Sequence, residues 1–443
     1  MGVLSQFTSL LNFLNFLLPL GLPTGIIKHI AQNPNSNTEI FSSVIKILFY
    51  PSILFFLIIF FFSKDISVML FGNTDYYGYV KFLCIFIPFI MIYNIYEAYV
   101  KGIKDINIYV KTLIFSSVIS LAASVPLTYF FGLIGSLIGL LINYISFILI
   151  LYILLKRKKL TGIFNFKSKI DKKFIKDISK ISIAILFAGS IHQISIIILK
   201  RITIENFGTE GNGLFQSVYN ISIFYFGFIF TSLSSYSFPK ISGITGIKEL
   251  NEELINTLRF ILVVLIPLIS FLIVFRNYII LILYTNEFSN AESLFKYQFA
   301  GDLFKALSWV LGLWLIPRSK IFVFLILDII LNVNLISIYL LMLNYFTFNL
   351  DSVSISYLCS YFLHFILNLA VTMKILNFTF SISLLKLLIS SILSIFLITL
   401  ATININAISY LMVFIVMVVW AFLNFKRADL EGIGEIFKQY FKK

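Results

Sequence analysis

Charge is what this chain has least of. Lys, Arg, Asp and Glu make up 12% of its 443 residues, about half the ~25% usual for soluble domains. That excludes an ordinary water-facing surface. Cysteine is nearly absent: Cys84 and Cys359 each lie in an apolar run, which excludes a disulfide framework and a cysteine-based metal site. Only three histidines occur, and no His/Cys/acid group has metal-ligand spacing. No glycine-rich loop ends in Lys-Ser/Thr, so this chain has no nucleotide-hydrolysing P-loop. No enzyme constellation and no cofactor motif is present. A cleavable signal peptide is not visible either, because the first basic residue, Lys28, follows the first apolar run instead of preceding it.

What is abundant is apolar: 59% hydrophobic residues, with 50 Phe. A helix crosses a bilayer with about 20 mostly apolar residues, and only helices or closed barrels satisfy their backbone there. The apolar runs are too long and too uniform for barrel strands. They predict spans near 7–30, 42–62, 79–101, 109–131, 133–155, 181–200, 213–239, 254–275, 293–316, 321–342, 352–373, 381–401 and 407–425. The expected fold is an all-α polytopic membrane protein of about 13 transmembrane helices.

The net charge of +14 would suggest nucleic acid on a soluble chain. Here it reads as the excess of basic residues in cytoplasmic loops, with no nucleic-acid partner. If the first span ends in the cytoplasm, the loops on that side hold 23 Lys and Arg, ten of them between Lys156 and Lys180. The opposite side holds five: Lys64, Lys200, Arg201, Arg276 and Lys296. The C-terminus is then cytoplasmic and Met1 outside, which is awkward without a helix to lead it across. The basic stretch 156–180 is a cytoplasmic linker, and it can also touch anionic headgroups of membrane lipids.

The chain repeats itself. LFGNTDY at 70–76 and LYTNEF at 283–288 each lead into a span, as do GVLSQ at 2–6 and GLFQ at 213–216. The offset is about 210 residues in both cases, which argues for duplication. The span 181–200 precedes GLFQ, whereas only Met1 precedes GVLSQ. By symmetry the first repeat lacks its opening helix. The expected organisation is a five-helix N-terminal lobe at 1–155, the linker at 156–180, a six-helix C-terminal lobe at 181–375, and an appended helix pair with a cytoplasmic tail at 376–443.

Several runs resemble the O-antigen translocases, lipid-linked oligosaccharide flippases of the polysaccharide transporter family within the multidrug/oligosaccharidyl-lipid/polysaccharide superfamily. They are QFTSLLNFL from Gln6, TGIIKHIAQ at 24–32, LFGNTDYYG at 70–78, KGIKD at 101–105, GNGLFQSVYNIS at 211–222, YSFPKIS at 236–242 and FKYQFAGDLFKALSWVLGLWLI at 295–316. The resemblance covers roughly residues 1–375. It implies two MATE-like lobes around a central cavity and alternating access in the bacterial inner membrane. The implied substrate is an undecaprenyl-pyrophosphate-linked oligosaccharide, with a polysaccharide polymerase and a chain-length regulator as partners. The family's first helix ends in an LGPxG-like turn before the segment matching Gly2, in keeping with the missing helix. In one respect the chain departs from the pattern. Where members often carry an acid in the first helix of the second repeat, this chain has Ile223, so a coupling role there cannot be carried over.

Ionisable residues inside a membrane are rare and face a cavity or a partner. Asp302 and Lys305 lie three residues apart on one helix face, and Asp328 lies mid-span in the next helix. All three are candidates for ion coupling, although Asp302 and Lys305 can equally be a self-neutralising pair that packs the lobe. Lys28, His29, Lys46, Glu97, Lys101, Lys104, Asp105 and Arg259 are candidates for a cytoplasmic cavity that receives the substrate's pyrophosphate. Interfacial snorkelling is the alternative for these residues. His192 and His364 read as hydrogen-bonded packing residues, and Gly132, Gly135 and Gly139 as close helix packing. Two other function classes remain open. A drug/cation antiporter of the same superfamily would want an acid-lined cavity. A polysaccharide polymerase would want a large outer loop, and the longest here, 63–78 and 276–292, are short and poor in His.

Overall fold

The computed structural model describes residues 1–23, 26, 27, 30, 37–103, 105–158, 172–346, 349–403 and 406–424. Lys28, His29, Lys104, most of the basic stretch 156–180 and the tail beyond Asn424 lie outside them. Among the described residues every regular element is helical, as a backbone that finds no water in lipid requires. Nine helices in this set are long and apolar enough to cross a membrane. Two of the nine cover 51 and 42 residues, at least twice the ~20 needed for one crossing. Each of these two bends once, at Gly132 (φ +56°) and Gly208 (φ +69°).

The chain divides into two compact units, Met1–Glu210 and Gly211–Lys443. The first holds α1 (Gly2–Leu17), α2 (Asn37–Phe61), α3 (Ser63–Phe71), α4 (Tyr77–Leu83), α5 (Phe86–Gly102), α6 (Ile106–Arg157) and the part of α7 (Lys172–Gly243) before its bend. Its core joins Phe7, Leu10, Leu11 and Leu14 of α1 to Leu70, Val80, Phe86, Ile90, Leu137 and Ile197. α6 is a helical hairpin. A Cβ on Gly135 would lie 1.9 Å from the Leu127 carbonyl oxygen, and one on Gly139 would lie 2.4 Å from Ser124 Cβ. Only glycine lets the two arms approach so closely.

α7 does not end at residue 200 as the hydropathy predicts. Lys200 and Arg201, expected in an outer loop, lie within the helix. Residues 189–204 pack inside the first unit, where Gln6 Nε2 donates to the main-chain oxygens of Leu70 (3.1 Å) and Ile197 (3.3 Å). Lys200 Nζ, 2% exposed, donates to Ser5 O at 3.1 Å and Ser9 Oγ at 2.6 Å. A lysine can enter such a core only with acceptors waiting for it.

The second unit continues α7 past Gly208 and adds α8 (Ile247–Val274), α9 (Arg276–Leu283), a 3-10 turn (Asn286–Ala291), α10 (Glu292–Gly312), α11 (Ile321–Tyr345), α12 (Asp351–Leu376), α13 (Ile382–Ala401) and α14 (Ala407–Asn424). α10 carries the buried stripe Leu294, Phe295, Gln298, Phe299, Asp302, Leu303 and Ala306. α13 and α14 are tied to α8 and α9 by two arginines. Arg276 Nη2 donates to Thr402 O at 2.7 Å, and Arg259 Nη2 to Asn424 O at 2.9 Å. Each cation therefore meets the carbonyl end of a helix, where the dipole is negative.

The repeat is visible in the backbone of each unit. The long helix α2 breaks at Phe62 (φ −93°, ψ 19°) into the short α3, and then turns. The long helix α8 breaks at Phe275 (φ −94°, ψ 16°) into the short α9, and then turns. The paired motifs 70–76 and 283–288 fall at the ends of these two short helices.

A buried acid and a caged ammonium in the second unit

Asp302 lies ten residues into α10, about 15 Å along its axis, and is fully buried. A carboxylate there must be supplied with donors or a counter-charge. α7 and α12 bring three hydroxyls. Ser222 Oγ lies 2.8 Å from Oδ1 and 2.7 Å from Oδ2, Tyr357 donates to Oδ1 at 2.7 Å, and Tyr225 donates to Oδ2. Gly301 makes room for Tyr357, since a Cβ there would sit 2.6 Å from the Tyr357 ring.

One turn along α10, Lys305 Nζ lies 5.1 Å from the ring centre of Phe226, 5.7 Å from that of Tyr357 and 5.5 Å from that of Tyr361. These distances are those of cation–π contacts. The ladder between α7 and α10 goes on, with Phe226 against Phe230 at 4.7 Å and Phe230 stacked on Trp309 at 4.4 Å. The spacing of 222, 226 and 230 on one helix and of 302, 305 and 309 on the other explains it, because residues three and four apart share a helix face. Asp328 of α11 is held by Asn332, whose Nδ2 donates to Asp328 O at 2.8 Å and Oδ2 at 3.3 Å. Asp302 and Asp328 both act electrostatically on Tyr361. His364, one turn on from Tyr361, is bonded to Asn368 at 3.0 Å.

In the first unit, Glu97 and Lys101 meet at 2.9 Å, with Tyr109 donating to the same carboxylate at 2.8 Å. Asp105 sits apart from this pair. It caps α6 by accepting from Ile108 N at 3.1 Å and pairs with Lys158 at 2.5 Å. That ammonium, hydrogen-bonded to the carboxylate, holds Asp105 below the usual carboxylate range. Lys46 is half-buried on α2. Arg259 belongs to the second unit, against α14.

Reasoning from sequence missed Ser222, Tyr225, Tyr357 and Tyr361. Their signal was present as a polar or aromatic residue every three or four positions on two helices. It also missed Lys158 and Arg276, which it read only as loop charges. At Ile223, where family members often carry an acid, the side chain is 43% exposed, while its neighbour Ser222 faces the acid supplied by α10.

Comparison with known proteins agrees with this architecture. The chain is similar to a multidrug resistance MATE family transporter of the MOP superfamily in its inward-facing conformation, with TM-score 0.73 and 15% identity over 86% of this chain and 90% of that one. It is similar to the lipid II flippase MurJ, inward closed, with TM-score 0.67 and 16% identity over all of this chain and 99% of that one. In sequence it is 25% identical to the lipid III flippases of Escherichia coli (strain K12) and Shigella flexneri over 324 residues, 72% of this chain and 78% of theirs. The model of the polysaccharide biosynthesis protein family matches residues 1–293. The chain is thus a multi-pass membrane protein of MATE- and MurJ-like fold that belongs to the polysaccharide biosynthesis protein family.

Proposed function

We propose that this protein is a flippase. It moves an undecaprenyl-pyrophosphate-linked oligosaccharide, the repeat unit of an O-antigen or another surface polysaccharide, from the inner to the outer leaflet of the bacterial inner membrane. The observation that carries the reading is the sequence likeness to lipid III flippases over 72% of the chain, within a polysaccharide biosynthesis family. The likeness to multidrug transporters is one of fold at 15% identity and does not favour drug export. The polar headgroup would cross by alternating access while the lipid tail stays in the bilayer. Cations at the cytoplasmic mouth, Lys101 among them, would meet the pyrophosphate. An ion gradient would drive the cycle through Asp302, Lys305 and Asp328, since buried intramembrane charges change partners only at a cost of several kcal/mol. The C-terminus would lie in the cytoplasm, a reading supported by the excess of basic residues in the loops assigned to that side, and a polymerase and chain-length regulator would act on the product.

The test is reconstitution. Proteoliposomes carrying this protein should translocate a fluorescent polyprenyl-pyrophosphate oligosaccharide, and protein-free vesicles should not. Translocation of cationic drugs with no movement of the lipid-linked sugar would overturn the reading in favour of an antiporter.

A further inference from the structure

A buried anion needs a cation, and Asp302 has one tethered to its own helix. Its oxygens take three hydroxyl donors, the arrangement that favours the charged form of a carboxylate. The Lys305 ammonium reaches it through space. Among the described residues that ammonium has no carboxylate in direct contact. It is held instead by the rings of Phe226, Tyr357 and Tyr361. Three rings around an ammonium form the cage by which proteins recognise free ammonium ligands. Tyr357 serves both halves, with its hydroxyl on Asp302 and its ring on Lys305. The neighbours Tyr219, Tyr361 and Asp328 bring no further positive charge to the cluster.

We propose that this is a monovalent-cation site whose occupant is Lys305 itself. In the natural protein Asp302 takes no free alkali cation, because the tethered ammonium already fills that role. Removing the amine opens the site to small ammonium ions, methylammonium first, since they match the cage. The inference deepens the coupling role given to Asp302 above but rests only on the cluster's geometry. Its test needs no transport, so either reading can fail alone.

The experiment is thermal unfolding of the purified protein at constant ionic strength in N-methylglucamine (too bulky for the cage), sodium, potassium or methylammonium chloride, with tryptophan fluorescence as a second readout. The natural protein should give the same Tm in all four salts. Lys305→Ala should have a lower Tm in N-methylglucamine, and methylammonium should raise it saturably by roughly 2–4 °C. Asp302→Asn/Lys305→Ala should not respond. Saturable stabilisation of the natural protein by sodium, lost in Asp302→Asn, would overturn the proposal, and so would a Lys305→Ala protein indifferent to every cation. If Lys305→Ala cannot be purified, the double variant Asp302→Asn/Lys305→Met decides. A mutually dependent pair predicts that removing both charges restores a stable protein; failure of the double variant counts against it.

Discussion

At the scale of single residues, environment separates acids that the sequence lists together. Asp302 is buried among hydroxyls, whereas Asp105 sits at a helix start beside a lysine that is half in water. Asp302→Asn keeps the size but removes the charge and turns one acceptor oxygen into an amide donor, so one of the tyrosine hydroxyls must accept where it now donates. It should leave the protein in the membrane and lower flipping at least about tenfold in the reconstituted assay, as loss of a buried charge from a coupled cycle implies. Undiminished transport by this variant would remove Asp302 from the mechanism. Asp105 has two roles that substitution can separate. Asparagine caps helices as well as aspartate does, so Asp105→Asn should lose only the Lys158 pair, worth less than about 1 kcal/mol at so exposed a site. Asp105→Ala loses the cap as well, and should cost about 1 kcal/mol more. Because the Asp105 carboxyl is held low, its contribution is fully present above the unfolded carboxylate value near 3.9. It is lost as the pH falls through the folded value. The Tm difference between the natural protein and Asp105→Asn should therefore be present at pH 7 and shrink below about pH 4.

At the scale of elements, two buried polar side chains set how helices meet. Gln6 links α1 to the C-terminal end of α3 and to α7 through two carbonyls. Gln6→Leu fills the space but leaves those carbonyls without their donor, and should cost about 1–3 kcal/mol. A Tm equal to that of the natural protein would show the link to be idle. Arg276 does the corresponding work in the second unit. It is 1% exposed, donates to Ile273 O and Thr402 O, and pairs with Glu292 at 3.0 Å. Arg276→Gln should cost at least about 2 kcal/mol, because it strands charge-assisted acceptors. The loss should appear first as protease access near Thr402, the end of α13 that the arginine holds.

At the scale of the whole molecule, the question is sidedness. If the basic loops share the cytoplasmic side, as the positive-inside rule expects, a fluorescent-protein fusion to the C-terminus should fluoresce while an alkaline phosphatase fusion at the same place stays inactive. The reverse pattern would invert every assignment of inside and outside. Much of this scale was legible beforehand. Long apolar runs announce membrane helices directly, and the motif pair at 70–76 and 283–288 marked the ends of α3 and α9, the short helices that follow like backbone breaks at Phe62 and Phe275. The bend at Gly208 was less legible, because nothing in local hydropathy distinguishes a helix that ends at 200 from one that continues to it.

The sequence by itself determined that this is a helical membrane protein built by repetition and short of charge. Those properties depend on composition, run length and spacing, which are local and additive. It also singled out Asp302, Lys305 and Asp328, because a charge in an apolar run stands out without any structure. Only the tertiary structure decided what surrounds them. Ser222 and Tyr225 lie about eighty positions before Asp302, and Tyr357 lies 55 after it. Which faces of three such distant helices meet is settled by packing, not by any property of the segments alone. For the same reason the structure alone showed that Lys200 is buried against α1, and that Arg259 and Arg276 hold the ends of the last two helices.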